Sequence, residues 1–419
     1  MKNSTAIRLR QLPEGHLLLG LDCHKKRHVA VLMNQQAAVH TRFKFSNSRE
    51  GFEDLLRRVG SEVARTGSPG VTYAIEAGGH FWRNVAYYFR ARDIPFRLIS
   101  PFTLSRRREG EDNDRRKNDF RDAEMAAELL RTGKYLATRL PEGIYAELRA
   151  TCQAYRRLVE ERSRSKNLLK TLLDGLFPEF TQAFRDPSAE TARALLSLRL
   201  TPQRLRQRSA VAFVDGVARR LPGGARTIRK LKLLHALAGT SVAVEAGSEG
   251  VALEVALLAE KLGTNADHIE RQQRRLFELV KEAPESRYLL SIPGVSHITV
   301  AGILAELGPL SAYQNAGQLI KMAGTNPTQS ESADKSGSRT PMSKKGRSGL
   351  RWCLWMASLN VIQHNQDFAQ WARARRERPA HEHPLEHREV LGAGCNKLLR
   401  VIFALVKKQE CYRAPAGAR

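Results

Sequence analysis

The chain has 419 residues, 42% of them hydrophobic and 27% charged. It is long enough for two or three cores, and its composition is neither disordered nor collagenous. Its 69 Lys and Arg against 43 Asp and Glu leave a formal net charge of +26, which calls for a polyanion as partner. Nucleic acid is expected rather than a membrane, because apolar runs such as Leu17-Leu18-Leu19-Gly20-Leu21 fall far short of the ~20 residues of a membrane span. The start, Met1-Lys2-Asn3-Ser4-Thr5, lacks an apolar export core. Cys23, Cys152, Cys353, Cys395 and Cys411 form no CxxC pair. That argues against a disulfide frame or zinc ribbon, and the expected location is a reducing cytoplasm, close to the nucleoid.

The first ~135 residues alternate strand and helix signals. His16–Leu21 reads as a strand ending at Asp22. Arg27–Met33 and Val39–Phe45 follow as two more strands of an antiparallel meander. Ser48 opens a helix to about Arg65, with Phe52, Leu55, Leu56, Val59 and Val63 on one face. Val71–Ile75 is a fourth strand, ending at Glu76. A helix from about His80 to Arg92 leads to a fifth strand, Phe96–Ile99, stopped by Pro101. Asp119–Leu130 is a helix with an alanine face. The order β-β-β-α-β-α-β-α predicts a mixed sheet with crossover helices, the strand order of an RNase-H-like (RuvC-like) fold.

The middle reads as helical. Leu148, Tyr155, Leu169 and Leu176 share one heptad register, and Cys152, Val159 and Leu173 share another. A second seam runs through Val255, Leu262, Ile269 and Leu276, alternating with Val251, Leu258 and Leu279. Two seams of similar length suit an antiparallel coiled-coil hairpin, a dimer interface, or an ordinary helical core. Between them, Pro187–Gly250 reads as extra helices broken at Pro222-Gly223-Gly224 and at Gly247–Gly250. In the last third, Ile292-Pro293-Gly294-Val295 before a helix from about His297 to Leu307 has the form of a helix-hairpin-helix turn, whose backbone N–H groups can hold a phosphate. Gly324–Gly349 is loop-like. Helices resume at Leu350–Asn360 and Asn396–Lys408, with Gln366–His387 charged and solvated between them. The expected domains are 1–140 (catalytic), 141–285 (helical coiled-coil region), 286–410 (mostly helical, with the hairpin turn and a serine loop) and a tail, 411–419.

Four acids stand out. Asp22 and Glu76 close two strands that neighbour each other in the proposed sheet, while Asp119 and Asp122 share one helix face. Taken singly, each has a structural explanation: a turn acid, a cap, or a partner of the helix N-terminus. Clustered carboxylates repel unless a cation sits between them, and Mg²⁺ or Mn²⁺ meets that demand while serving phosphoryl transfer. Farther along, a serine-rich loop precedes Ser343-Lys344-Lys345-Gly346-Arg347 and Arg351, a cationic strip suited to a sugar–phosphate backbone.

These residues resemble the DEDD-type transposases of bacterial insertion sequences, a family that includes the pilin-gene invertases. Leu19-Gly20-Leu21-Asp22, Ala74-Ile75-Glu76-Ala77-Gly78 and Lys117-Asn118-Asp119-Phe120-Arg121-Asp122-Ala123 look like its three acidic motifs in order, with Asn118 where threonine is usual. Ile292-Pro293-Gly294-Val295 and Pro327–Arg351 look like its second conserved region. The resemblance implies that Asp22, Glu76, Asp119 and Asp122 bind Mg²⁺ or Mn²⁺. It also implies that a serine attacks the scissile phosphate and becomes linked to DNA, so that donor and target strands are recombined. Five residues after Pro327 stands Ser332, although Ala333 replaces the usual glycine; Ser336, which does precede a glycine, competes for the role. Lys344, Lys345, Arg347, Arg351 and Gly294 would contact nucleic acid. A structured guide RNA and a homo-oligomer, dimer or tetramer, are further implied partners. The rival readings are a RuvC-like junction endonuclease without a covalent intermediate, and a non-catalytic nucleic-acid scaffold.

Overall fold

The computed structural model describes residues 8–414 apart from 10, 112–117, 137–139, 220, 222–223, 329–330, 333–334, 337–340 and 380–383. Lys117, Pro222, Gly223, Ala333 and Gly337 therefore lie outside the described residues. The chain divides into two compact units, Met1–Leu140 and Pro141–Arg419.

The first unit is built on a five-stranded sheet of order β3-β2-β1-β4-β5. Its centre is β1 (Leu17–Asp22), buried at all six positions. β2 (Arg27–Met33) pairs with it antiparallel, and β3 (Val39–Ser46) pairs antiparallel with β2. β4 (Val71–Glu76) runs parallel to β1, and β5 (Phe96–Ile99) parallel to β4. A central strand covered on both faces has no solvated side, which is why β1 reads as an apolar run rather than an alternation. Leu17, Leu19 and Leu21 pack with Phe52, Leu55, Val85 and Phe89. Leu18 faces the other way, onto Met125, Ala126, Leu129 and Leu130.

Among the described residues, four helices cover the sheet. α1 (Arg49–Thr66) starts at Ser48, whose side chain accepts from Gly51 N–H, and stops at Gly67 with φ +66°. α2 (Trp82–Arg90) supplies Val85, Ala86 and Phe89 to the core. α3 (Pro101–Glu111) has no counterpart in the sequence reading. Pro101 ends β5, but proline is equally suited to the first turn of a helix, where its missing N–H costs nothing. α4 (Asp119–Arg131) packs on β1 and buries the alanine face Ala123, Ala126 and Ala127.

Among its described residues, the second unit has helices and, for strands, only two of two residues each. α5 (Gly143–Leu176) and α6 (Ser248–Glu282), of 34 and 35 residues, form an antiparallel pair. Leu148 shares a core with Leu276 and Leu279, while Leu169, Leu173 and Leu176 meet Ala252, Val255 and Ala259. Midway, Asn265 donates to Leu158 O at 3.3 Å and Lys261 pairs with Glu161 at 2.9 Å. On α6, one expected seam (Val255, Leu262, Ile269, Leu276) is buried throughout; of the alternating positions Leu279 is buried as expected, while Ala252 and Ala259 are buried where Val251 and Leu258 were expected. Small residues there let the two backbones approach. Gly247, at φ +74°, caps α6 from outside and so ends the break before it, whereas Ser248–Gly250, also expected to break the helices, lie in its first turn. Five shorter helices, from Phe180–Ala183 to Gly224–Gly239, pack between.

The rest of this unit contains α7 (His297–Leu307), α8 (Ala316–Ala323), α9 (Ser348–His364), α10 (Gln366–Arg376) and α11 (His387–Lys408). The expectation that Gln366–His387 is solvated fails over α10, where Phe368 and Ala372 are buried. Two apolar anchors among charged neighbours suffice to seat a short helix, a signal easily lost in the charge.

Candidate active site

The register of the parallel pair places the acids. Leu21 lies opposite Ile75, so Asp22 and Glu76, each one step further, end adjacent strands. α4 brings the other two. Asn118 caps it, its side chain accepting from Phe120 N–H at 3.0 Å, which releases Asp119 from the capping role open to it in the sequence. The helix can cross β1 closely because of Gly20: a Cβ there would lie 1.8 Å from Ala123 O and 2.7 Å from Ala127 N. Asp122 is buried, 2% exposed, and Asp22 is 7% exposed. Asp22, Glu76 and Asp122 line one cleft of about 370 Å³, together with Cys23, His24 and Arg108. Asp119 faces the same end of β1: one ligand atom each from Asp22, His24 and Asp119 lie within 4.8 Å of one another.

Such clustering is costly. Two like charges ~4 Å apart repel by about 4 kcal/mol at an effective dielectric of 20. Two cationic or hydrogen-bonding groups that the sequence reading did not single out offset part of this. Arg108, from α3, forms an ion pair with Asp122. His24 Nε2 lies 3.0 Å from Asp22 Oδ2 and 3.6 Å from Asp119 Oδ1. The only trace of either in the sequence is closeness: His24 stands two residues after Asp22, and Arg108 ends an arginine triplet. Cys23 sits between the acids. Burial pushes its thiol far above the usual range, and Asp22 and Glu76 push it further. It is thus held protonated, which makes it a poor thiolate ligand. Oxygen donors from four carboxylates with one imidazole suit a divalent cation.

The second unit carries the serine loop. Its base is tied by backbone bonds: Thr328 N–H to Pro341 O, Ser343 N–H to Asn326 O, and Lys344 N–H to Gly324 O, all at 2.9 Å. Gly324, at φ +67°, closes α8, and a Cβ there would meet Gly346 N at 2.7 Å. Beyond the base, β6 (Glu331–Ser332) pairs antiparallel with β7 (Lys335–Ser336), setting Ser332 opposite Lys335. The backbone thus places Ser332 and Ser336 in one hairpin, on opposite strands.

The expected nucleic-acid contacts divide. Lys344 and Lys345 are exposed at the loop base. Arg351 is turned inward, Nη1 donating to Ala323 O at 3.0 Å and to Lys344 O at 3.3 Å. Arg347 donates to Glu306 O. Gly294, at φ +89°, packs against α9: a Cβ would lie 2.7 Å from Asn360 O. One of the N–H groups at the start of α7 is already used, as Ser296 accepts from Thr299 N–H. Packing therefore accounts for glycine at this turn.

Two family profiles match the chain. One describes the transposase of the DEDD type from IS110 and covers residues 19–178; the other describes the transposase of the IS116/IS110/IS902 family and covers residues 286–373. Among similar proteins, an uncharacterized 44.8 kDa protein of insertion element IS116 from Streptomyces clavuligerus is 26% identical over 359 residues, 82% of this chain and 84% of that one. The putative transposase of mini-circle IS117 from Streptomyces coelicolor is 22% identical over 326 residues, 75% of this chain and 77% of its own. The 43.6 kDa protein of IS110 from the same species is 25% identical over 310 residues, 72% and 74% of the two chains. No helix among the described residues is long and apolar enough to cross a membrane.

Proposed function

Because the chain belongs to the DEDD transposases of IS110-type insertion sequences, and so is a DNA-recombining enzyme, we propose that it cuts and rejoins DNA through a phosphoserine link made by Ser332. The observation that carries this reading is the convergence of Asp22, Glu76 and Asp122 on one cleft, with Asp119 within ligand distance of Asp22. The sheet order, with β1 and β4 parallel at its centre, supports an RNase-H-like first unit. In this reading Asp22, Glu76, Asp119 and Asp122 hold Mg²⁺ or Mn²⁺. The bound ion would supply Lewis-acid activation of the scissile phosphate. Arg108 holds the Asp122 carboxylate at the cleft wall. The Ser332 oxygen forms the bond to phosphorus, and the sugar oxygen of the departing strand leaves with the bonding pair and takes a proton. Attack by the incoming strand's hydroxyl reverses the step, so rejoining needs no external energy. Lys344 and Lys345 hold the backbone near the loop. A structured guide RNA and a homo-oligomer complete the reading.

The test is a denaturing gel of labelled DNA after reaction with the full-length enzyme. A protein-linked band is expected for the wild type and for Ser336→Ala, and none for Ser332→Ala or Asp22→Asn. Cleavage without any linked band would leave a metal-dependent endonuclease in its place. Loss of the band in Ser336→Ala with retention in Ser332→Ala would move the nucleophile to the opposite strand of the hairpin.

A further inference from the structure

We propose that His24 is a nitrogen ligand of the divalent cation in the acidic cleft, and that it shifts the metal preference of the site from Mg²⁺ toward Mn²⁺. The inference rests on the reading of that cleft as a cation site and adds a residue to it.

Three observations support it. The first is spacing. His24 Nε2 lies 3.0 Å from Asp22 Oδ2 and 3.6 Å from Asp119 Oδ1. Adjacent ligands of an octahedral ion with bonds of ~2.1 Å are ~3 Å apart, so the His24 nitrogen stands at inner-shell spacing from Asp22 and slightly wider from Asp119, the three atoms lying within 4.8 Å of one another. The second is anchoring. The backbone N–H of His24 donates to Nδ1 of His28 at 3.1 Å. His28 is fully buried on β2, its ring 5.1 Å from Phe45 and 5.8 Å from Phe52. The segment that carries His24 is thereby tied to the sheet, while its own side chain remains 36% exposed toward the cleft. The third is the donor set. Asp122 is drawn toward Arg108. With that carboxylate engaged, the imidazole stands as a nitrogen donor beside Asp22 and Asp119, with Glu76 in the same cleft.

The consequence is selectivity. Mg²⁺ prefers oxygen and gives up water reluctantly, whereas later divalent ions accept imidazole. A site of carboxylates alone would discriminate less.

The experiment is pulsed electron paramagnetic resonance on the full-length, nucleic-acid-free protein loaded with Mn²⁺, alongside titrations of Mn²⁺ and of Mg²⁺ in competition. The wild type is expected to show nitrogen coupling to the bound ion. His24→Asn keeps the backbone N–H that His28 accepts. It should still bind Mn²⁺, without the coupling and roughly tenfold more weakly, while Mg²⁺ affinity changes by less than about threefold. A wild-type spectrum with bound Mn²⁺ and no nitrogen coupling overturns the inference without recourse to any variant, and leaves His24 as a charge partner of Asp22. Coupling that persists in His24→Asn also overturns it. Asp22→Asn separates the two levels: if it binds Mn²⁺ as tightly as the wild type, the acidic cleft itself is not the cation site.

Discussion

At the scale of single residues, the cleft depends on positions that carry no chemistry. Gly20 is one. An alanine there would drive Cβ into the backbone of α4, and overpacking of this kind costs about 3 kcal/mol. Gly20→Ala should lower the unfolding free energy by that amount and also lose DNA cleavage; a chemical denaturation curve matching the wild type would show that α4 can move away. Arg108 is another. Asp122 is 2% exposed and its partner 24% exposed, so Arg108→Ala leaves a buried carboxylate uncompensated, at a cost of about 3 kcal/mol. Added Mn²⁺ should restore part of the lost melting temperature, because the ion replaces the missing positive charge. His28 makes stability depend on pH. Burial holds its imidazole below the usual value, with the His24 charge acting in the same direction and Asn47 opposing. Below the unfolded-state value of about 6.5 the unfolded chain binds more protons than the folded one. Stability is therefore full above that pH and declines as pH falls toward the lower folded-state value. His28→Gln should flatten the fall in melting temperature between pH 7 and pH 5.

At the scale of elements, the antiparallel pair α5 and α6 is the spine of the second unit. Its register is marked by Asn265, 6% exposed and bonded to Leu158 O. A buried polar residue in such a seam trades stability for a single register. Asn265→Leu should raise the unfolding free energy by about 1 kcal/mol; a drop of similar size in thermal melts would show that the hydrogen bond outweighs the apolar gain. The serine loop is closed at its base by short backbone bonds and by Arg351. Glycine at 324 and 346 allows the two ends of the loop to meet, so the hairpin of Glu331–Ser332 and Lys335–Ser336 springs from a base closed by backbone bonds.

At the scale of the molecule, the net charge of +26 sets how binding responds to salt. Each phosphate contact releases condensed counterions, so affinity for duplex DNA should fall steeply as salt rises. Lys344→Ala and Lys345→Ala should each reduce the slope of log affinity against log salt by about 1. Arg351→Ala should instead lower the melting temperature, since its guanidinium faces inward at Ala323 and Lys344. If all three substitutions changed the slope equally, the division between exposed and inward cations would be wrong.

By itself the sequence determined the five strands, the helices α1, α2 and α4 and the two long helices, and it marked four acids by their positions at strand ends and on one helix face. Those signals are local: apolar runs, periodicity, caps, and acids at strand ends. Only the tertiary structure decided that α5 and α6 pair antiparallel within one chain, that α3 exists to carry Arg108, and that His24 meets Asp22 and Asp119. It likewise turned Arg351 inward and gave Gly294 a packing partner in α9. The reason is the same each time. Whether a side chain pairs, packs or faces a cleft depends on what the fold brings against it from far along the chain, and no window of neighbouring residues encodes that.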